Sequence, residues 1–205
     1  MTDNFDFLEN DWFFKKYYDK LGFRFWSFKI ALNLFLQSKE TLIVETGTIR
    51  MPNDVGGGNS TYILGDFCKH YNKRLITIDI DPKNIELSKR ETIDFADVTT
   101  YITSDSVAYL QRFTQKIGLL YLDSMDCPEE SDASNAQQHN LNELKAAWDK
   151  LSPNAVVLID DNNFSNGGKA RLSKYFLRDM GWKLVMDFQQ TLWVRYNNEQ
   201  GDKNV

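Results

Sequence analysis

Trp182-Lys183-Leu184-Val185-Met186-Asp187-Phe188-Gln189-Gln190-Thr191-Leu192-Trp193-Val194-Arg195-Tyr196 carries the reading on which the fold turns. Two β-rich runs, 182–188 and 191–196, are separated by Gln189-Gln190 alone. Two residues are too few for the crossover that parallel strands need, so the pair is predicted to be an antiparallel hairpin.

Upstream of this hairpin the pattern is different. Short apolar runs at Thr41 to Val44, Leu75 to Ile78, Thr100 to Thr103, Gly118 to Leu122 and Ala155 to Ile159 read as strands, each followed by a segment of helical length. Right-handed crossovers assemble such units into a parallel sheet with helices on both faces. The expected architecture is therefore α/β, a seven-stranded and mostly parallel sheet closed by the antiparallel hairpin. Asp81-Pro82 marks one helix start, and Asp105 or Ser106 caps the next. Asn140 to Leu151 carries apolar residues at helical spacing, stopped by Ser152-Pro153. At the N-terminal end, Trp12 to Leu36 is aromatic, apolar and interrupted by Gly22, which predicts two helical pieces. They read as a layer covering the core, with a lid over a ligand as the alternative.

The 205 residues, 42% of them hydrophobic, suit one domain. It is expected to comprise an N-terminal helical layer or lid at 1–40, a core at 41–196 and a polar tail at 197–205. With 24 basic and 29 acidic residues the formal charge is -5, and the basic residues are scattered, which argues against nucleic acid as a partner. No apolar run approaches the roughly 20 residues that span a bilayer, and no leader pattern is visible, so no membrane partner and a cytoplasmic location are expected. Cys68 and Cys127 form no Cys-x-x-Cys pair, consistent with a reducing compartment. Self-association into a homo-oligomer is left open.

Four motifs at strand ends resemble those of class I S-adenosylmethionine-dependent methyltransferases. Leu42-Ile43-Val44-Glu45-Thr46-Gly47-Thr48, continued at Gly57-Gly58-Asn59-Ser60-Thr61, is similar to the first motif of that family, and Ile76-Thr77-Ile78-Asp79-Ile80-Asp81-Pro82 to the second. Leu120-Tyr121-Leu122-Asp123 and Val157-Leu158-Ile159-Asp160-Asp161-Asn162 resemble the metal-binding strand ends of the catechol and macrocin O-methyltransferases. The terminal hairpin is the family's usual ending. The resemblance covers residues 40 to 196 and implies a Rossmann-like fold, S-adenosylmethionine as cofactor, and a small-molecule methyl acceptor, a hydroxyl first among the candidates. One departure is the insertion of residues 49–56 between Thr48 and Gly57, from which Arg50 or Asp54 approaches the substrate unless the loop is simply solvated.

The residue types suit this chemistry. In an open parallel sheet the ligand lies beyond the carboxyl ends of the strands, where the strand order reverses. Gly47 and Gly57-Gly58 let backbone approach a ligand, and the helix starting near Ser60 offers its unpaired N–H groups to the methionine carboxylate. Asp79 is assigned to the ribose hydroxyls, with Asp81 left to cap the helix. Asp105 and Ser106 either meet the adenine edge or act only as a helix cap. Glu45 orients the first turn or meets the amino group of the methionine part. Asp123 is placed on both the cofactor and the catalytic side.

Asp123, Asp160 and Asp161 are expected side by side, and three carboxylates repel one another unless a cation or proton compensates. Mg2+ or another divalent cation held by all three, lowering the pKa of an acceptor hydroxyl, is one solution; a turn network without metal is the other. His139, at the start of a helix after the acidic loop 126–135, is a candidate general base, with a structural role as its alternative. Two further functions fit parts of the pattern. Asp79 follows Gly58 by 21 positions, as the acidic ribose ligand of a NAD(P)-dependent oxidoreductase does, but Gly-x-Gly-x-x-Gly is missing and the hairpin is atypical. A non-catalytic nucleotide-binding module shares the fold but gives three acidic strand tips no purpose.

Overall fold

The computed structural model describes residues 10–52 and 59–195. Gly57 and Gly58, residues 53–56 of the insertion, and the tail 197–205 lie outside them.

Two helices come first, α1 (Asn10–Leu21) and α2 (Arg24–Gln37), joined at Gly22. The alternating part follows: β1 (Leu42–Thr46), α3 (Ser60–His70), β2 (Arg74–Asp79), α4 (Pro82–Glu91), β3 (Thr99–Thr103), α5 (Ser106–Arg112), β4 (Ile117–Leu122), α6 (Ser134–Ala147) and β5 (Leu151–Ile159). Helix α7 (Arg171–Asp179) then leads to β6 (Lys183–Asp187) and β7 (Thr191–Val194). The seven strands form one sheet in the order β3-β2-β1-β4-β5-β7-β6. The first five are parallel, and β7 runs antiparallel to both β5 and β6. The α/β class and the hairpin ending are thus as the sequence pattern indicates.

Strands β1 and β4 are central and buried throughout, which is why residues 42–44 and 119–122 read as continuous apolar runs rather than alternating ones. Their side chains divide by parity between two cores. Ile43, Leu119, Tyr121 and Leu158 face Phe13, Tyr17, Phe25, Phe28 and Leu32 of α1 and α2. Val44, Leu120, Leu122 and Val157 face Leu144 of α6 and Leu177 of α7. The parity that buries Ile43, Tyr121 and Leu158 under α2 also points Glu45, Asp123 and Asp160 toward that helix. Among the N-terminal rings, Phe13 and Tyr17 are buried and Phe23 and Trp26 exposed.

Helix α6 departs from expectation. It begins at Ser134 rather than near 140, because the Asp132 carboxylate accepts the Ser134 backbone N–H at 2.9 Å and opens the helix within polar sequence. It ends at Ala147, where a 3-10 turn (Trp148–Lys150) carries Trp148 onto Phe176 and Trp182. Ser152-Pro153, expected as a stop, lies inside the first part of β5.

Candidate active site

The strand order reverses between β2-β1 and β4-β5, and a cavity of about 330 Å³ opens there, at the carboxyl ends of the strands. Gly47, Asp79, Asp105, Ser106 and His139 line it, together with Ser124 and Met125 just beyond β4. Gly47 has φ +82°, and a Cβ there would lie 2.3 Å from the Asp123 carbonyl oxygen, so the turn after β1 and the end of β4 meet backbone to backbone. Only glycine allows both the conformation and the approach.

Asp79 ends β2, and both hydrogen bonds that the described residues make to its carboxylate fall on Oδ1, from the Asp81 backbone N–H at 2.8 Å and the Asn84 amide at 3.3 Å. Asp81 caps α4 by accepting the Lys83 N–H at 2.8 Å, with Pro82 at the first helical position. Asp105 likewise caps α5, accepting the Ala108 N–H at 2.7 Å. It does so while lining the cavity, so the capping geometry does not remove it from the site. Ser106 lies 3.3 Å from His139 Nε2, which also reaches Glu143 at 3.4 Å. The Glu143 carboxylate beside it raises the His139 pKa against the opposing effect of burial. His139, a candidate general base with a structural role as its alternative, lines the cavity and is set against Ser106 at the β3 end.

Glu45 is completely buried under the first turn. Its Oε2 accepts the Thr61 hydroxyl at 2.8 Å, and Thr61 continues through Thr48 to Ser88 by hydroxyl contacts of 3.0 and 2.7 Å. Burial pushes the Glu45 carboxyl up to about 7, opposed by the hydroxyls of Ser60, Thr77 and Thr61 and reinforced by the Asp123 charge. Glu45 Oε2 thus ties β1 to the start of α3, while its Oε1 has no hydrogen-bond partner among the described residues. Ser60 sits at that helix start and is buried.

The acidic strand tips do come together, and side chains that sequence reasoning left aside come with them. Lys169 Nζ lies 2.8 Å from Asp123 Oδ1 and 3.0 Å from Asp161 Oδ2. Arg24, the first residue of α2, is ion-paired to Asp160 and reaches Asp123 at 3.6 Å. The Tyr121 hydroxyl donates to Asp160 Oδ2 at 2.5 Å, and Gln190 Nε2 donates to the same oxygen at 3.1 Å. Ser27 donates to the Gln190 side-chain oxygen, so the hairpin loop is tied to α2. Burial raises the Tyr121 pKa well above its ordinary value, and Asp123 adds to this, so the phenol stays neutral. Burial works against the Lys169 charge, but Asp123 and Asp161 outweigh it and raise its pKa, keeping the ammonium protonated.

The set Asp123, Asp160 and Asp161, expected to hold a divalent cation, does not fit one as arranged. Its facing oxygens are occupied by an ammonium and a guanidinium, and no group of three or more His, Cys, Asp or Glu side chains among the described residues is disposed to hold a metal. The repulsion foreseen among the three carboxylates is relieved by side chains from α2 and from the loop before α7. A count of charges could have raised the question, but neither Arg24 nor Lys169 is near the aspartates in a motif. Arg50, from the insertion, pairs with Asp126 at 2.5 Å; Gly58 lies outside the described residues.

Comparison with known proteins agrees with the geometry. A family model described as a methyltransferase domain matches residues 54–162, more than half of the chain. The chain belongs to that family and is a class I S-adenosylmethionine-dependent methyltransferase. No curated protein matches it by sequence. Among solved structures, it is similar to the SAH-bound methyltransferase PaMTH1 of Podospora anserina, with 16% identity and a TM-score of 0.60 over 92% of this chain and 86% of that one. It is also similar to the O-methyltransferase NovP, at 12% identity and a TM-score of 0.60 over 85% and 80% of the two chains. SMU.1697c of Streptococcus mutans, in complex with SAH, gives 12% identity and a TM-score of 0.56 over 82% and 97%. These likenesses establish the shared Rossmann-like fold.

Proposed function

We propose that the chain moves the methyl group of S-adenosylmethionine to a hydroxyl of a small molecule. The observation that carries this reading is the position of the cavity: Gly47, Asp79, Asp105 and Ser106 line it, and it ends at Ser124 and Met125, immediately after the Asp123 that pairs with Lys169. In this reading Asp79 holds the ribose hydroxyls through Oδ2, and Asp105 and Ser106 face the adenine with His139 beside them. The N–H groups around Gly47 and Ser60 hold the methionine part, whose amino group lies toward Asp123. The sulfonium methyl then points at the acidic tips, where the acceptor enters.

The reaction is a displacement in line. A lone pair of the acceptor oxygen forms the new O–C bond as the C–S bond breaks, its electrons return to sulfur, and the cofactor leaves as the neutral thioether. The hydroxyl proton passes to the Asp123 carboxylate. The protein's contribution is alignment and exclusion of water, which in well-oriented systems supplies about 7–11 kcal/mol. The formal charge of -5 supports a small-molecule acceptor over a nucleic acid. None of the described helices is long and apolar enough to cross a membrane, and the proposed setting is the cytoplasm.

Isothermal titration of the purified protein with S-adenosylhomocysteine tests the reading. One site is expected, and Asp79→Asn is expected to weaken it about tenfold or more, the scale of a lost hydrogen bond to a charged group. Absence of binding, or equal affinity in both proteins, overturns it.

A further inference from the structure

We infer that Lys169 stands where a divalent cation would otherwise be held, so that it neutralises Asp123 and Asp161 and methyl transfer proceeds without a metal. The inference rests on the methyltransferase reading and concerns the acceptor half of the same site. Its geometry is built by the backbone. Asp161 has φ +47°, and Gly168, at φ +62°, stands so close to the returning chain that a Cβ would lie 2.1 Å from the Asp161 carbonyl oxygen. The Lys169 backbone N–H then closes the loop onto that carbonyl at 2.9 Å. This fold-back drives a lysine that is 2% exposed against the carboxylates at the β4 and β5 ends.

A divalent ion needs carboxylate oxygens at about 2.0–2.6 Å. The two oxygens that face the would-be ion, Asp123 Oδ1 and Asp161 Oδ2, are already held from one point by Nζ. Asp160 cannot substitute, because Arg24, Tyr121 and Gln190 converge on its Oδ2. The charge balance points the same way. Asp123, Asp160 and Asp161 against Arg24 and Lys169 leave one net negative charge, which complements the positive sulfonium; adding a divalent ion would invert that sign and set like charges against each other. Lys169 is thus a positioning residue that orients the two carboxylates.

Titration of Mn2+ into the protein with S-adenosylhomocysteine present, followed by electron paramagnetic resonance of the free ion, tests this. The wild type is expected to leave the Mn2+ signal at its free intensity up to about 1 mM, and EDTA to change neither its melting temperature nor its affinity for S-adenosylhomocysteine. Lys169→Ala, which vacates the point between the carboxylates, is expected to bind one Mn2+ at least about tenfold more tightly than the wild type. Stoichiometric Mn2+ binding by the wild type, or no gain in Lys169→Ala, overturns the inference; if that variant does not fold, the wild-type titration decides. Failure of S-adenosylhomocysteine to bind the wild type would instead overturn the methyltransferase reading.

Discussion

Glu45→Gln should reverse a pH-dependent cost that the wild type carries in its first turn. The carboxyl is fully buried, and its pKa rises from an ordinary 4.5 to about 7 in the folded chain. At about 1.36 kcal/mol per pH unit the difference amounts to about 3 kcal/mol. Below 4.5 the group is protonated in both states and nothing is lost. Between 4.5 and about 7 the unfolded chain has released the proton while the folded one still holds it, so stability falls as pH rises. Above that window the loss is complete. Glutamine cannot ionise, yet its carbonyl can still accept the Thr61 hydroxyl. Urea denaturation of both proteins at about pH 4 and about pH 8 should show the difference in unfolding free energy moving by about 3 kcal/mol in favour of the glutamine variant. A difference that stays constant across this range would refute the argument that burial dominates the Glu45 carboxyl.

Other substitutions probe the neighbouring parts. Gly47→Ala combines an unfavourable left-handed φ with a Cβ 2.3 Å from the Asp123 carbonyl oxygen, and chemical denaturation should report a loss of about 2–5 kcal/mol. Arg24→Met leaves Asp160 buried without its guanidinium and should cost about 3–5 kcal/mol in thermal or urea melts, with partial recovery when Asp160→Asn is added. His139→Gln should raise KM for S-adenosylmethionine with little change in kcat, since the ring faces Ser106 rather than the acidic tips.

The parts of the fold that were legible in the sequence are those governed by local chemistry. Asp81-Pro82 caps and starts a helix whatever surrounds it, Gln189-Gln190 is too short for a crossover, and Leu42 to Val44 is apolar because β1 is covered on both faces. The end of α6 was misjudged because Trp148 continues the apolar stripe while the backbone tightens into a 3-10 turn. Asp79, Asp105 and Asp123 could be placed at strand ends by counting, since Asp79 closes β2, Asp123 follows β4 directly and Asp105 lies two residues past β3. Their partners could not. Arg24 meets Tyr121 across 97 positions, and Lys169 meets Asp123 across 46. Such contacts follow from how α2 and the loop before α7 pack, which no local pattern encodes. A metal was therefore a reasonable expectation from three carboxylates alone, and buried side-chain cations were the alternative that only packing reveals.

The most direct test is a crystal structure of the chain with S-adenosylhomocysteine. The ribose hydroxyls should lie within hydrogen-bond distance of Asp79, the adenine beside Ser106 and His139, and the sulfur should face the ion-paired side chains of Asp123 and Lys169. A ligand bound elsewhere, or a cavity between Gly47 and Asp105 that stays empty at saturating ligand, would contradict the account.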